Sequence, residues 1–197
     1  MDQRLAPALR ELQRLLTQTA SQLQITLRFA LLGGLAVSTW GVIRATQDID
    51  FLADCDPSPL KDLALRDKFK KSFEEHVSSV QWRVGEQDDP IPLLLRIELS
   101  SRFRNVGSDI LWAHKRWQRD ALARSITVKL SRQQVRVLHP EDLILLKLEA
   151  DAPQNLIDVQ GLLADPPPQL NLHRLKGAAA RLRLGKVLEK CLRDVRG

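Results

Sequence analysis

One stretch of the chain, GGLAVSTWGVIRATQDID at residues 33–50, narrows its folding options more than any other. An apolar run from Leu27 to Leu32 leads into Gly33-Gly34, and an acidic pair at alternate positions, Asp48-Ile49-Asp50, precedes Phe51-Leu52. In a strand, side chains i and i+2 share a face. The spacing therefore predicts Asp48 and Asp50 side by side, with Ile49 and Phe51 turned inward. Two carboxylates held this close repel each other unless a positive charge sits between them. A hard divalent cation such as Mg²⁺ meets that need and takes phosphate oxygens as its other ligands. Glycines at the entry to a helix, having no Cβ, let backbone N–H groups approach an anion closely. The plainer reading of the same letters is a hairpin or surface strand with exposed acids.

At 197 residues the chain fits a single domain, 1–197, with a core over about 25–138 and a helical C-terminal region over about 139–197. It is 44% hydrophobic and 27% charged, the balance of a globular rather than a disordered chain. A formal net charge of +6 favours a polyanionic partner. The longest apolar runs, such as Phe29 to Leu32, fall far short of a membrane span. The start, MDQRLAPALRELQRLL, reads as an amphipathic helix without the continuous apolar core of a secretory signal, so a cytoplasmic location and no membrane partner are expected. Cys55 and Cys191 lack metal-ligand spacing and read as reduced thiols.

Leu5, Leu9, Leu12, Leu15 and Leu16 recur at helical spacing, which predicts a helix over 3–23. A strand over Leu27 to Leu32, a short helix over Leu35 to Val42 and a strand over Gln47 to Ala53 follow. Pro57 and Pro59 are expected to open a helix reaching about His76. Strands are expected at Val80 to Val84 and Leu93 to Leu99, flanking a polar loop with Asp88-Asp89-Pro90. Another lies around Ser108-Asp109-Ile110-Leu111. A short helix over Trp117 to Arg124 comes next, and Ile126 to Leu130 and Gln134 to Leu138 read as a hairpin or as a strand followed by the lead into the next helix. Pro140 opens a helix running to Ala150, Pro153 to Leu163 forms another, and Leu170 to Val195 reads as a basic helix or helical pair beyond the linker Asp165-Pro-Pro-Pro168. This order gives an α+β class, a mixed β-sheet flanked by helices with a helical C-terminal third, and shows no alternating β-α run of the doubly wound kind.

The basic tail, with Arg174, Lys176, Arg181, Arg183, Lys186, Lys190, Arg193 and Arg196, suits an RNA backbone or is simply a solvated face. Trp40, Trp82 and Trp112 read as core, and Trp117 as a partly buried anchor. His76, His114, His139 and His173 have neither zinc nor triad spacing.

The pattern Gly33, Gly34, Ala36, Gly41, Arg44, Thr46, Asp48, Ile49, Asp50 resembles the signature of the polymerase-beta-type nucleotidyltransferase superfamily, in the variant of the small bacterial AbiEii-like toxin nucleotidyltransferases. That resemblance spans about residues 28–163. It implies an Mg²⁺-dependent enzyme that moves a nucleoside monophosphate from an NTP to a hydroxyl of RNA (tRNA in some relatives) or of a protein, in some relatives as the toxin of a pair with an antitoxin partner. Asp48 and Asp50 would hold the metal, completed by a third carboxylate. Asp109, an acid flanked by apolar residues in a strand, is the leading choice, and Glu98 in Leu95-Arg96-Ile97-Glu98-Leu99 the alternate; the one not used reads as a surface acid paired with Arg96 or Arg102. Gly33, Gly34 and Arg44 would meet the nucleotide, although Arg44 reads equally as a brace for its loop. A second segment, His139-Pro-Glu-Asp-Leu-Ile-Leu-Leu-Lys-Leu, resembles the helix that carries a lysine to nucleotide phosphates. The resemblance implies that role for Lys147, with Asp158 supporting it. The chain departs from the pattern at Asn155, where an acid is usual. That departure leaves room for a module that binds nucleotide or RNA without catalysis.

Overall fold

The computed structural model describes residues 5–85, 90–103 and 106–196. The polar loop with Asp88-Asp89 lies mostly outside them. The first helix, α1 (Leu5–Gln22), buries Leu5, Leu9, Leu12, Leu15 and Leu16 along one face, as the leucine spacing predicts. Seven strands follow, β1 (Thr26–Leu32), β2 (Asp50–Asp56), β3 (Val77–Val84), β4 (Leu93–Leu99), β5 (Gly107–Trp112), β6 (Ile126–Leu130) and β7 (Gln133–Val137). They form one mixed sheet in the order β3-β4-β5-β2-β1-β7-β6. Helices α2 (Gly33–Thr39), α3 (Leu63–Glu74) and α4 (Arg116–Arg124) lie between strands. After the last strand come α5 (Pro140–Ala150), α6 (Pro153–Ala164), α7 (Leu172–Arg181) and α8 (Gly185–Arg196). The protein is thus α+β, with eight α-helices among the described residues.

The pairing explains where a site can form. β1 runs antiparallel to β2, with Leu32 opposite Asp50. β2 runs parallel to β5, with Phe51 beside Ile110, and β1 runs parallel to β7, with Leu31 beside Val137. The end of β1, the starts of β2 and β5 and the end of β7 therefore meet at one edge of the sheet. The chain leaves that edge through Leu138, whose N–H bonds to Leu31 O at 3.1 Å, and enters α5 two residues later.

Several boundaries differ from the sequence reading: α2 covers Gly33–Thr39 rather than 35–42, β3 starts at Val77 rather than Val80, and β2 and α3 both start late. β2 begins at Asp50, so Gln47 and Asp48 precede the ladder. The N–H of Ile49 nevertheless bonds to Gly107 O at 3.0 Å, which keeps the side-chain alternation: Ile49 and Phe51 are fully buried and Asp48 is exposed. α3 begins at Leu63 rather than at the prolines, because Asp62 caps it by accepting from Leu65 N at 3.0 Å. Residues 57–62 form the turn leading in.

The core centres on Trp112, Phe51, Phe69 and Phe73, all fully buried. Phe69 meets Trp112 edge-to-face, with ring centroids 5.2 Å apart. α5 is enclosed nearly all round, every residue from Pro140 to Leu148 being buried. Its charged residues are each partnered, as burial demands. Glu141 accepts from Asn171 N at 3.0 Å and pairs with His139, and Asp142 takes Arg124 Nη2 at 2.7 Å. The third charge, Lys147, faces the site.

Candidate active site

At the sheet edge lies a cavity of about 410 Å³. Its floor is acidic. Asp48, Asp50 and Asp109 all line it, brought there from the approach to β2, the first residue of β2 and the third residue of β5. Asp50 Oδ1 accepts the Asp109 N–H at 3.4 Å. Glu98, the alternate third acid, is exposed, sits opposite Gly107 and does not line the cavity.

The glycines make room for these carboxylates. Gly33 has φ +70°, and a Cβ there would collide with the Asp50 carboxylate. Because Leu32 lies across from Asp50 in the ladder, the next residue needs both the left-handed backbone and the missing side chain. A Cβ on Gly107 would stand 2.7 Å from Asp48 Oδ1, and one on Gly34 would stand 2.9 Å from Thr46 Oγ1. The sequence reading had these glycines present backbone amides at a helix entry. The helix they open, α2, is only seven residues long, and Leu32 gives it no side-chain cap. Both glycines line the cavity, and the contacts around them also show a place where the chain must pass close to Asp50 and Thr46.

Another part of the lining, the wall, is basic. Lys147, 6% exposed, donates from Nζ to Asp158 Oδ2 at 2.7 Å and to Asn155 Oδ1 at 3.3 Å. Arg44 Nη1 pairs with the same Asp158 oxygen. Asp158 is 2% exposed and stands behind the two cations, while Lys147, Arg44 and Asn155 line the cavity. Arg44 thus braces its loop and also borders the cavity, so the two readings of it are compatible. The loop is pressed onto α6, where Gly161 has no Cβ to meet Val42 Cγ1, which would lie 2.9 Å away. Thr46 Oγ1 donates to Asp48 O at 3.1 Å and Ser38 Oγ to Arg44 O at 3.2 Å, which fastens the end of the loop on itself and its middle to α2.

Electrostatics follow from this layout. Asp50 is pushed up to about 6, first by burial and then by the neighbouring Asp109 carboxylate, with Asp48 adding to it and Lys147 opposing it. Burial lowers the Lys147 ammonium from its ordinary value, against the pull of Asp158. Neither Asp48 nor Asp50 forms an ion pair among the described residues. Among those residues no group of three or more His, Cys, Asp or Glu side chains is close enough to hold a metal ion. Two unpaired carboxylates beside open volume still fit a hard cation that completes its shell with water and phosphate oxygens. Asp109 differs, because Arg96 Nε donates to its Oδ1 at 2.7 Å and Arg96 Nη2 binds its Oδ2.

Several features escaped the sequence reading. The sequence reading paired Arg96 only with whichever acid was not the third ligand, whereas it engages Asp109, the leading choice, from the register position opposite it. The apolar side of the cavity, made by Ile91, Leu111, Leu143 and Leu146, is assembled from three separate elements and leaves no local signal. His114 is half-buried outside the cavity, its backbone N–H bonded to Gln118 Oε1 at 3.0 Å.

No model of a known protein family matches the chain, and no curated protein matches it. Solved structures do resemble it in chain path. An antigenic nucleotidyltransferase-like protein from Paracoccidioides brasiliensis has a TM-score of 0.45 at 16% identity, over 89% of this chain and 88% of that one. A putative nucleotidyltransferase from H. pylori scores 0.46 at 15% identity, over 100% and 97%. Lincosamide antibiotic adenylyltransferase LnuA, bound to lincomycin, scores 0.45 at 13% identity, over 82% and 96%. Likeness at this level says nothing by itself about activity, which must be read from the cavity's own residues.

Proposed function

We propose that the protein is a nucleotidyltransferase that moves a nucleoside monophosphate from an NTP to a hydroxyl acceptor. The observation that carries this reading is one cavity lined both by two carboxylates with no ion-pair partner among the described residues, Asp48 and Asp50, and by Lys147 and Arg44, which share a single counter-ion. A metal-bound triphosphate has the matching charge pattern, its cation toward the floor and its phosphate oxygens toward the wall. Asp48 and Asp50 would hold Mg²⁺, with Asp109 the candidate third ligand. When bound, the ion would neutralise charge developing at the transferred phosphorus. Lys147 and Arg44 position the phosphates, and Asp158 keeps both cations aimed at the cavity. The apolar side formed by Ile91, Leu111, Leu143 and Leu146 offers a surface for the nucleobase and keeps water from it. The exposed Arg181, Arg183, Lys186, Lys190 and Arg193 of the C-terminal helical region favour RNA over protein as the acceptor.

The test is transfer of label from α-³²P-NTP to RNA or protein in the presence of Mg²⁺. Wild type is expected to label an acceptor, and Asp48→Ala/Asp50→Ala to lose about 10³-fold or more, the several kcal/mol of charge stabilisation that a metal supplies. Undiminished labelling by the double variant would sink the proposal. The engagement of Asp109 by Arg96 and the amide at position 155 also suit a module that binds nucleotide without turnover. Tight NTP binding, insensitive to Mg²⁺ and yielding no product, would favour that second reading.

A further inference from the structure

Arg96 stands directly across from Asp109 on the neighbouring antiparallel strand. Its Nε and Nη2 engage both oxygens of that carboxylate, the Nε bond at 2.7 Å. The same guanidinium also feels the charges of Asp48 and Asp50. Among the described residues its hydrogen bonds go to Asp109 alone, and its side chain is 45% exposed, so water can take its place without the sheet opening. A cation so placed, fully paired with one of three acids and near the other two, does more than fasten β4 to β5. It occupies the face of Asp109 that a divalent ion would need.

We propose that Arg96 is the resident counter-ion of the acidic floor, and that a divalent ion gains Asp109 only by displacing it. The inference rests on the metal-binding reading above. It gives the floor two arrangements. In one, Arg96 holds Asp109 and the ion meets Asp48 and Asp50. In the other, the guanidinium has swung into solvent and the freed Asp109 carboxylate turns to join Asp48 and Asp50 on the ion. Arg96 is a positioning residue in this scheme, since it touches neither nucleotide nor acceptor.

The experiment titrates the whole chain with Mn²⁺ alone, by calorimetry and by electron paramagnetic resonance. Proteins compared are wild type, Arg96→Gln, Arg96→Lys, Asp109→Asn and the double variant Arg96→Gln/Asp109→Asn. Removing the competitor should tighten Mn²⁺ binding about 5-fold in Arg96→Gln, the scale of a half-exposed ion pair. Arg96→Lys keeps the charge but lacks the fork, and gives a smaller gain in the same direction. It also serves as the reading should the glutamine variant not fold. In the double variant the gain disappears, because Asp109 is no longer available to the ion. A role confined to fastening the strands would lower the melting temperature of Arg96→Gln and leave its Mn²⁺ affinity unchanged, and that result overturns the proposal. Gain of the same size in the double variant also overturns it. Mn²⁺ binding absent from every protein, wild type included, brings down the metal reading and this inference together, whereas binding by wild type with no change in Arg96→Gln removes this inference alone.

Discussion

The floor and the wall of the cavity solve opposite problems. On the floor, three carboxylates gather with one guanidinium, and two of them have no ion-pair partner among the described residues. On the wall, two cations gather on one buried carboxylate. The first carries spare negative charge and the second spare positive charge, a few side chains apart. Among the described residues no ion pair joins Asp48 or Asp50 to Lys147 or Arg44, although all four line the same cavity. The lesson is that one cavity can carry both surpluses uncancelled, which is the charge pattern the proposed metal-bound triphosphate would match.

The largest disturbance of this balance should come from Lys147→Met. It leaves Asp158 with Arg44 as its remaining strong partner and empties the buried ammonium site. A cost of about 3 kcal/mol in unfolding free energy is expected, the lower end for breaking a buried pair because Arg44 stays. Urea denaturation checks the stability, and NTP titration should show weaker binding in the same variant. A loss no larger than that of an exposed lysine would mean that the wall does not depend on this pair.

Asp50→Asn sharpens the floor side. Asp50 titrates near 6 in the fold, above the ordinary carboxylate value of 3.8. An acid raised in this way is more protonated folded than unfolded between those two values, so stability falls as pH rises through that window. Relative to wild type, the asparagine variant should be about 2 kcal/mol more stable at pH 7 and show no advantage below pH 4. Melting curves across pH 3–8 test this, and a variant that is less stable at neutral pH would contradict the floor's electrostatic strain. Mn²⁺ should narrow the difference at pH 7, since the ion supplies what the uncharged side chain otherwise removes.

The smallest effect belongs to Asn155→Asp. Its Oδ1 lies 3.3 Å from Lys147 Nζ, so a carboxylate there would absorb the wall's spare charge. Triphosphate affinity is expected to fall about 5-fold, roughly 1 kcal/mol, with stability little changed. Equal or tighter binding would show that the surplus positive charge has no part in holding the ligand.

Much of this was legible in the letters, and what was missed has physical causes. Asp48 and Asp50 announce themselves because strand alternation is local, and Ile49 and Phe51 between and after them are fully buried. The seven strands and the C-terminal helices follow from periodicity and proline placement for the same reason. The start of α3 was misplaced because two prolines look like a helix opening, whereas the Asp62 side chain sets the cap. Arg96 opposite Asp109 depends on which strands pair and in what register, and Arg44 joining Lys147 on Asp158 depends on the loop at 40–49 packing against α6. Such contacts join residues 13 and 114 positions apart, beyond the reach of any local pattern.

The ladder between β1 and β2 sets Leu32 opposite Asp50, and Gly33 follows at once. The distance from glycine to carboxylate is therefore fixed by strand register and not by the residues that loop out between them. Lengthening that excursion near Ile43, whose side chain points fully into solvent, would leave the two ends meeting as before. Related chains can then be expected to differ widely in the gap separating these two landmarks, and a search that insists on one spacing would pass over them.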